Sequence, residues 1–168
     1  MIASGIAPER AELIRGVIIQ KMSKSILHFK LTHLLAELFR TALGERFWVR
    51  QEAPLTLADS EPEPDISIVS GRLEDYRDHP ATALLVVEVS VSTLAEDRAM
   101  AEIYAEAGVE EFWLVNAAQR RLEIHRTPVR GEYRERLLVE EGQTAQCLAI
   151  PGLQVDVADL FSRAAGLS

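Results

Sequence analysis

Apolar positions along the chain change their spacing several times, and each spacing predicts a different element. One nearly unbroken apolar stretch covers residues 83–90 and reads Ala-Leu-Leu-Val-Val-Glu-Val-Ser. A short run of this kind, rich in β-branched residues, predicts a strand that is buried on both faces. Its one charged residue is Glu88, and burying an ionised carboxylate is costly unless a cation or hydrogen bonds compensate it. We therefore expect Glu88 to have a specific partner.

Apolar residues at helical spacing predict three helices. The first begins after Ser25, whose hydroxyl can cap the first turn, and ends before Gly44, which suits a C-terminal cap. The second begins at Thr93, whose spacing to Glu96 matches a capping box. The helices are predicted over residues 26–43, 93–107 and 157–165.

Shorter apolar runs bounded by turn residues predict the strands. Gly16 marks a turn or bulge within the first run, and Gly131 marks the turn of a later hairpin. Residues 55–57 can extend the strand before them, whereas the acidic, proline-containing residues 59–64 predict an extended surface loop. The strands are predicted over residues 11–22, 47–52, 65–69, 83–89, 111–116, 122–125 and 133–139.

The order of these elements predicts an α+β (or α/β) fold with a mixed central β-sheet and two main helices. The chain has 168 residues, of which 48% are hydrophobic, and this is enough for one globular domain with a single core. Because no linker or repeat divides the sequence, we expect one domain over residues 1–168.

Charge and composition exclude several protein classes. The formal net charge is −8, which argues against a broad cationic surface for nucleic acid but not against a local basic patch. No apolar run approaches the ~20 residues of a membrane span, and residues 1–5 lack the pattern of a signal peptide. Cys147 is the only cysteine, so no intrachain disulfide can form, and a cytoplasmic location is the expectation.

The strands at residues 65–69 and 83–89 predict a pair of carboxylates. The connection between them is short enough for antiparallel neighbours, and a symmetric pairing sets Ser70 opposite Ala83. Asp65 then lies opposite Glu88, with Cβ atoms ~5 Å apart on one face. Two like charges this close require a cation between them or a proton on one of them. The pair is therefore either a site for a hard divalent ion such as Mg²⁺ or an ordinary set of strand-end carboxylates.

Several motifs together resemble the Uma2 family of restriction-endonuclease-like proteins. Glu12-Leu-Ile-Arg-Gly opens the likeness, a Pro-Asp dipeptide ends at Asp65, and Val-Glu-Val-Ser surrounds Glu88. The likeness covers roughly residues 10–161, and the combination of motifs is more specific than any one of them. The segments that carry it are residues 12–16, 22–23, 28, 64–66, 87–90, 97–98, 103–109, 111–115 and 151–153.

The resemblance implies a PD-(D/E)xK nuclease core, in which helices flank a mixed central sheet, and Mg²⁺- or Mn²⁺-dependent hydrolysis of DNA. By motif position it implies that Asp65 and Glu88 bind the metal, together with a backbone carbonyl near Val89. It also implies that Glu12 is a further acidic residue on the helix side of the site. His28 would lie near the entrance, where it would contact substrate.

The pattern departs from the wider nuclease superfamily at the expected lysine. The position two residues after Glu88 holds Ser90, and the helical position that Uma2-like sequences often use for Lys holds Met100. Met can neither donate a hydrogen bond nor carry charge. Because no Lys follows Lys30, a substitute must come from the three clustered lysines or from an arginine such as Arg98. The cluster itself, Lys21, Lys24 and Lys30, either contacts phosphate groups or forms a solvated helix entrance.

Two hypotheses of different classes follow. One is a metal-dependent endonuclease that cuts DNA, alone or as a homodimer. The other is a catalytically weak or inactive relative that binds nucleic acid or a protein, for which Ser90 and Met100 are the motivation. In the first hypothesis, the catalytic residues are Glu12, Asp65, Glu88 and Ser90, and the residues that contact substrate are Lys24, His28 and Arg98.

Overall fold

The computed structural model describes residues 10–166, so the expectation about residues 1–5 lies outside the described residues. Within the described range, no helix has both the length and the apolar character needed to cross a bilayer. The helices are α1 (Ile26–Leu43), α2 (Leu94–Glu106) and α3 (Val157–Ala164). The strands are β1 (Ala11–Ile14), β2 (Val17–Gln20), β3 (Phe47–Gln51), β4 (Ile66–Ser70), β5 (Leu85–Ser90), β6 (Glu111–Asn116), β7 (Arg121–Val129), β8 (Glu132–Val139), β9 (Thr144–Gln146) and β10 (Gln154–Asp156).

A six-stranded sheet forms the centre of the fold, in the order β3-β4-β5-β6-β7-β8. β5 and β6 are parallel, and every other neighbouring pair in this sheet is antiparallel. A parallel pair requires a crossover connection, which α2 supplies. The predicted mixed sheet with flanking helices is therefore confirmed.

The two faces of the sheet are covered by different helices. Side chains alternate along β5, so Leu85, Val87 and Val89 pack against α1 and α3, and Val86 packs against α2 on the opposite face. Glu88 shares the α2 face with Val86 because residues two apart on a strand point the same way. All six residues of β5 are buried, as the continuous apolar run predicts.

Residues 11–22 form a hairpin of two strands rather than one bulged strand. β1 and β2 pair antiparallel around Arg15 and Gly16, whose φ angles of 48° and 78° lie in the left-handed region. Positive φ at both central residues is typical of the two-residue turns that match the twist of a hairpin. Of the two predicted structures at Gly16, a turn or a bulge, the structure therefore has the turn.

The connection between β3 and β4 differs from the prediction in two respects. Residues 55–57 do not extend β3, which ends at Gln51. Residues 59–64 are extended but are not a surface loop throughout, because Ser60 and both prolines are buried. The N–H of Glu61 donates to the carbonyl of Leu13 at 2.6 Å, so β1 holds this segment against the body of the protein.

The helix caps confirm one prediction and correct another. α1 begins after Ser25, whose Oγ accepts the backbone N–H of His28 at 3.2 Å, and ends at Gly44 with a φ of 59°. The capping box predicted at the start of α2 is wrong. Thr93 accepts no backbone hydrogen bond, and its hydroxyl donates to the Asp97 carboxylate at 2.6 Å instead. A capping box needs an extended N-cap residue whose hydroxyl oxygen accepts a backbone N–H, and Thr93 instead has a φ of −117° and a ψ of 30°.

Candidate active site

Asp65 and Glu88 meet at the end of the β4–β5 pair. The observed partners are Ile66 with Val87, Ser67 with Val86 and Ile68 with Leu85, which is the predicted register. Extended by one residue, that register sets Asp65 beside Glu88.

Backbone donors then tie the two carboxylates together. The N–H of Asp65 donates to Glu88 Oε2 at 3.2 Å, and the N–H of Val89 donates to Asp65 Oδ2 at 2.7 Å. Both side chains are buried and held by the strand that carries the other. The orientation of the pair is therefore set by the hairpin itself.

The start of α1 brings two further residues to Asp65. Lys24 Nζ donates to Asp65 Oδ1, and its side chain is 27% exposed whereas that of Asp65 is 2% exposed. The His28 Nε2 atom lies 3.0 Å from Asp65 Oδ2 and 3.2 Å from Lys24 Nζ. An ionised carboxylate can only accept hydrogen bonds, so Nε2 carries the proton and donates to Asp65. His28 is buried against this carboxylate.

These contacts set the charge of Asp65. Burial alone would raise the pKa of this carboxyl group, but the hydrogen bond from His28 and the charge on Lys24 lower it to about 2. Burial also opposes the charge on Lys24, yet the Asp65 carboxylate raises the pKa of this ammonium group. Asp65 and Lys24 are therefore both ionised at neutral pH.

Glu88 has a different environment from its neighbour. Its Oε1 accepts the hydroxyl of Tyr104 at 2.6 Å, and among residues 10–166 no lysine, arginine or histidine forms an ion pair with it. Burial, and then the charge on Asp65, raise the pKa of Glu88 well above its usual value. Burial and the charge on Glu88 also raise the pKa of Tyr104, so its phenol remains a hydrogen-bond donor. The pair thus holds one firm negative charge and one that an additional cation would stabilise.

The oxygen atoms at this end of the sheet suit a hard divalent cation. Asp65 and Glu88 supply two carboxylates, and the Val89 carbonyl faces the same side as its N–H, toward Asp65. Mg²⁺ is typically held by one or two carboxylates together with waters and substrate phosphates. The part of the chain that the structure describes contains no group of three or more His, Cys, Asp or Glu residues that could hold a metal. Water or substrate would therefore have to complete the coordination of an ion here.

Glu12 and Ser90 flank the pair without contacting it. Glu12 lies in the hairpin strand β1, where its Oε1 accepts the N–H of Glu63 at 2.7 Å and lies 2.9 Å from Lys21 Nζ. Ser90 ends β5, and its buried Oγ makes no hydrogen bond of ordinary geometry within the described residues. It lies near enough to Asp97 to favour the charged form of that carboxyl group.

The candidate cations other than Lys24 are engaged elsewhere or lie apart. Arg98 binds Glu123 on β7 through its Nε at 3.0 Å and through its Nη2. Lys21 is held by two glutamates beside β1, and Lys30 is exposed and forms no ion pair with any residue in the range 10–166. Of the proposed cations, the structure therefore brings only Lys24 to the acidic pair.

Tyr104 and Asp97 belong to the site although sequence reasoning did not assign them there. The spacing of Tyr104 from Met100 indicates an ordinary core-facing pair, and both residues do pack in the core beneath α2. A buried tyrosine hydroxyl nevertheless needs a hydrogen-bond partner, and that requirement is the signal that could have directed attention to Glu88. Asp97 offers no comparable signal, because its polar position in the first turn of a helix is common on protein surfaces.

Comparison with known proteins agrees with the fold and the motifs. The structure is similar to that of a putative nuclease belonging to DUF820 from Anabaena variabilis ATCC 29413, with a TM-score of 0.74 and 18% sequence identity over 92% of this chain and 90% of that chain. Among curated proteins, none matches. The Uma2 family model, whose description is putative restriction endonuclease, matches residues 6–158. Because residues 6–158 are most of the 168 residues of the chain, the chain belongs to the Uma2 family.

Proposed function

We propose that this protein is an endonuclease that hydrolyses phosphodiester bonds in DNA with the help of Mg²⁺ or Mn²⁺. The observation that carries the proposal is the buried pair of Asp65 and Glu88, which is accompanied by only one lysine. When Glu88 is ionised, two carboxylates and one fixed cation leave a net negative charge at a place where a divalent ion can neutralise it. Membership of the Uma2 family and the fold shared with a putative nuclease support the same reaction class.

Some residues of the site would bind the ion, and others would orient the residues that bind it. Asp65, Glu88 and the Val89 carbonyl would hold the ion, which when bound stabilises phosphoryl oxygens and makes a coordinated water more acidic. Asp65 is oriented by His28 and the Val89 N–H, and Glu88 by the hydroxyl of Tyr104. Such prior orientation matters because the ligands need not reorganise during the reaction.

The remaining candidates would act from the edges of the pair. Ser90 offers a buried hydroxyl that makes no hydrogen bond of ordinary geometry with residues 10–166, and this hydroxyl would bind a water or a phosphate oxygen. Glu12 would act electrostatically, since it is one of the charges that raise the pKa of Glu88. Arg98 would reach substrate only by leaving Glu123, and His28 would act through Asp65. The proposed partner is DNA.

The test is cleavage of a supercoiled plasmid by Asp65→Ala and Glu88→Ala variants in Mg²⁺, with EDTA as the metal-free reference. Loss of one metal ligand should lower the cleavage rate at least about 100-fold. Glu74→Ala is the matched control, because Glu74 is an exposed acid in the connection between β4 and β5. Unchanged cleavage in both site variants would sink the proposal.

The second candidate function is a module that binds nucleic acid or protein without cutting. The observation that favours it is that protein donors already engage both carboxylates, while Ser90 and Met100 stand at the two usual lysine positions. Calorimetry with Mg²⁺ and a Met100→Lys variant separate the two functions. Absence of metal binding, together with no nicking by the variant, would favour the binding module.

A further inference from the structure

We infer that Lys24 supplies the fixed cation of this active site, entering from the β2–α1 connection because positions 90 and 100 lack a lysine. The inference rests on the proposed endonuclease function and assigns one residue within it. Nζ of Lys24 contacts Asp65 Oδ1 and lies 3.2 Å from His28 Nε2. No other lysine or arginine in residues 10–166 forms an ion pair with Asp65 or Glu88.

The position of Lys24 is set by the helix that follows it. Ser25 caps α1, so Lys24 stands directly before the cap and His28 one turn after Lys24. Both side chains converge on the two oxygens of Asp65 from the same helix start. A flexible side chain would not by itself hold this place, but a capped helix with two contacts to one buried carboxylate does.

The chemistry of phosphodiester hydrolysis needs a cation where Lys24 lies. Negative charge grows on the phosphoryl oxygens as the bond breaks, and a fixed positive charge beside the ligands stabilises it. The Lys24 side chain is 27% exposed while Asp65 is 2% exposed, so the ammonium group stands between the buried acid and approaching substrate. It can therefore contact a phosphate from the solvent side while Asp65 and Glu88 remain buried.

Lys24 also offsets part of the negative charge of the acidic pair when no metal is present. Without it, Asp65 and Glu88 would share a buried site with no fixed positive charge, which is unfavourable for the metal-free protein. The same change should favour a divalent ion, because the ion would no longer compete with the ammonium group for Asp65. Replacement of Lys24 is thus expected to lower the stability of the metal-free protein and to retain or raise its metal affinity. Loss of a substrate contact alone would change neither quantity.

Residue 100 offers a way to restore the cation from the other side. Met100 lies on α2 between Asp97 and Tyr104, at helical spacings of three and four that place all three on one face. Tyr104 donates to Glu88, and burial together with a smaller effect of the charge on Asp65 raises the pKa of Asp97, so this face looks toward the acidic pair. A lysine at position 100 would therefore project toward the same carboxylates as Lys24.

The experiment compares Lys24→Met, Met100→Lys, the double variant and Lys30→Met as a control at an exposed lysine. Plasmid cleavage in Mg²⁺ should fall about 100-fold in Lys24→Met and recover at least about tenfold in the double variant. Calorimetry with Ca²⁺ should show affinity in Lys24→Met that is retained or about tenfold tighter. Thermal unfolding without metal should occur at a lower temperature in Lys24→Met, and added Ca²⁺ should reverse the loss.

The outcomes separate this inference from the function on which it rests. Cleavage by Lys24→Met at the wild-type rate, with Asp65→Ala inactive, would overturn the role of Lys24 and leave the nuclease intact. A Lys24→Met protein that neither cleaves nor binds Ca²⁺, with no recovery in the double variant, would show a structural role instead. Equal inactivity of the wild type and Asp65→Ala would overturn the nuclease function and, with it, the role of Lys24.

A second observation, independent of the active site, concerns the outer edge of β2. Val17, Ile18 and Ile19 are 60%, 48% and 47% exposed, and β1 is the only strand that pairs with β2 among the described residues. An uncovered edge of β-branched residues is a template for another strand. The geometry points to a second copy of this chain as the partner, joined by antiparallel pairing of the two β2 strands.

The free backbone groups of β2 determine the register of such a pair. The N–H of Lys21 donates to the carbonyl of Arg10 at 2.9 Å, so Lys21 faces β1. Alternation along the strand then turns the N–H and C=O groups of Ile18 and Gln20 outward. Pairing Ile18 with Gln20 of the second copy places the two Ile19 residues opposite each other on the twofold axis.

Charge favours self-pairing at this edge. β2 contains no charged residue, whereas the outer edge strand β8 carries Arg134, Glu135 and Arg136 in succession. Charges of that kind protect an edge against pairing. In the proposed register Lys21 lies opposite Val17 and no like charges meet.

The four residues of β2 are too few to form a stable interface, which needs roughly 800 Å² from each partner. The exposed side chains that follow β2 in sequence would supply the remaining area. They are Met22, Ile26 and Phe29, at 77%, 69% and 62% exposure.

The test is the mass of the full chain in solution by sedimentation. The wild type should be a dimer, and Ile19→Lys and Ile19→Glu should each be monomers, because two like charges would face each other on the axis. Mixing the two variants should restore a heterodimer, and Leu138→Lys on β8 should leave the dimer unchanged. A monomeric wild type at ~100 μM, well above the Kd of a specific dimer, or a dimer that survives Ile19→Lys, would overturn this inference. A monomer that dimerises only after removal of residues 1–9 would show that those residues cover the edge instead.

Discussion

Two clusters of buried carboxylates in this protein have opposite charge balances. Glu123 on β7 is fully buried and accepts hydrogen bonds from two arginines, Arg98 and Arg136. At the end of β4 and β5, by contrast, one lysine serves two carboxylates. The first cluster has two fixed positive charges for one carboxylate, whereas the second has one fixed positive charge for two carboxylates.

The difference shows which buried acid is structural and which is available for chemistry. A buried carboxylate saturated by arginines has little to gain from a further ligand, and removing its charge mainly costs stability. A pair of carboxylates with one lysine is strained by its own repulsion, which a divalent ion would relieve. Burial alone would not distinguish these sites, since Glu88 and Glu123 are both buried. The number of cations around each acid distinguishes the structural site from the candidate active site.

The largest stability effect is expected at the saturated cluster. Glu123→Gln should lower the free energy of unfolding by about 2–3 kcal/mol, because it removes the negative charge that two arginines share and replaces one accepting oxygen with an amide donor. The arginines are partly exposed and can turn to water, which keeps the loss below that of a fully buried pair. Urea denaturation measures the change. A loss below ~0.5 kcal/mol would remove the contrast between the two clusters.

A smaller effect is expected from Tyr104→Phe, which removes the hydroxyl that donates to Glu88. One oxygen of a buried carboxyl group then lacks its donor, at a cost of about 1–2 kcal/mol. Because the same hydrogen bond lowers the pKa of Glu88, its loss should raise that pKa further. Denaturation of the variant at neutral pH measures the first effect, and a shift of any metal-dependent cleavage toward higher pH measures the second. Unchanged stability would mean that water or another donor replaces the hydroxyl.

Glu88→Gln is expected to be neutral or to stabilise the metal-free protein by about 1 kcal/mol. The amide can accept the N–H of Asp65 and donate to Tyr104, while the repulsion from Asp65 disappears. Cleavage should nevertheless be lost. This combination is the reverse of that expected for Glu123→Gln, and a stability loss above ~2 kcal/mol would contradict it.

The pH dependence of stability should separate the two acids of the pair. Folding raises the pKa of Glu88, so its stabilising contribution is present below its unfolded pKa near 4.5 and is lost as the pH rises through the folded pKa. Folding lowers the pKa of Asp65 from 3.8 to about 2, so its contribution is present above pH 3.8 and is lost as the pH falls through about 2.

The expected result is that wild-type stability declines more steeply than that of Glu88→Gln as the pH rises above the unfolded pKa of Glu88. Denaturation midpoints measured at increasing pH provide the measurement. Parallel curves for the two proteins would show that Glu88 does not bind a proton more tightly in the folded state.

The smallest effect is expected from Ser25→Ala, which removes the side-chain cap of α1. Loss of such a cap costs about 0.5–1 kcal/mol in most helices. Loss of the cap should also make the position of Lys24 less fixed, because Lys24 directly precedes it. The cleavage rate should therefore fall further than the small loss in the free energy of unfolding would explain. Ser25→Asp, which can still cap the helix, is the matched control, and equal cleavage in both variants would show that the cap does not position Lys24.

Much of the fold followed from local patterns. α1 begins and ends at the predicted residues because a serine cap, helical spacing and a terminal glycine all agree. The β4–β5 register was predictable because a short connection between two buried strands leaves few ways to pair them. The capping box at Thr93 was not, because it depends on the backbone dihedral angles of Thr93, which are not those of an N-cap and which the spacing to Glu96 does not reveal. The polar, proline-rich residues 59–64 indicated exposure, but the packing of β1 against them buries several.

The sequence by itself determined that Asp65 and Glu88 would meet, since strand alternation and a short hairpin connection operate over neighbouring residues. It also determined that no lysine would follow Glu88 at the usual spacing. Only the tertiary structure decided that Lys24 and His28 reach Asp65 across 41 and 37 residues of chain, and that Arg98 turns to Glu123. Such contacts depend on how α1 and α2 dock on opposite faces of the sheet. That docking is decided by apolar packing over the whole core, which leaves no signature in the spacing of the charged residues it brings together.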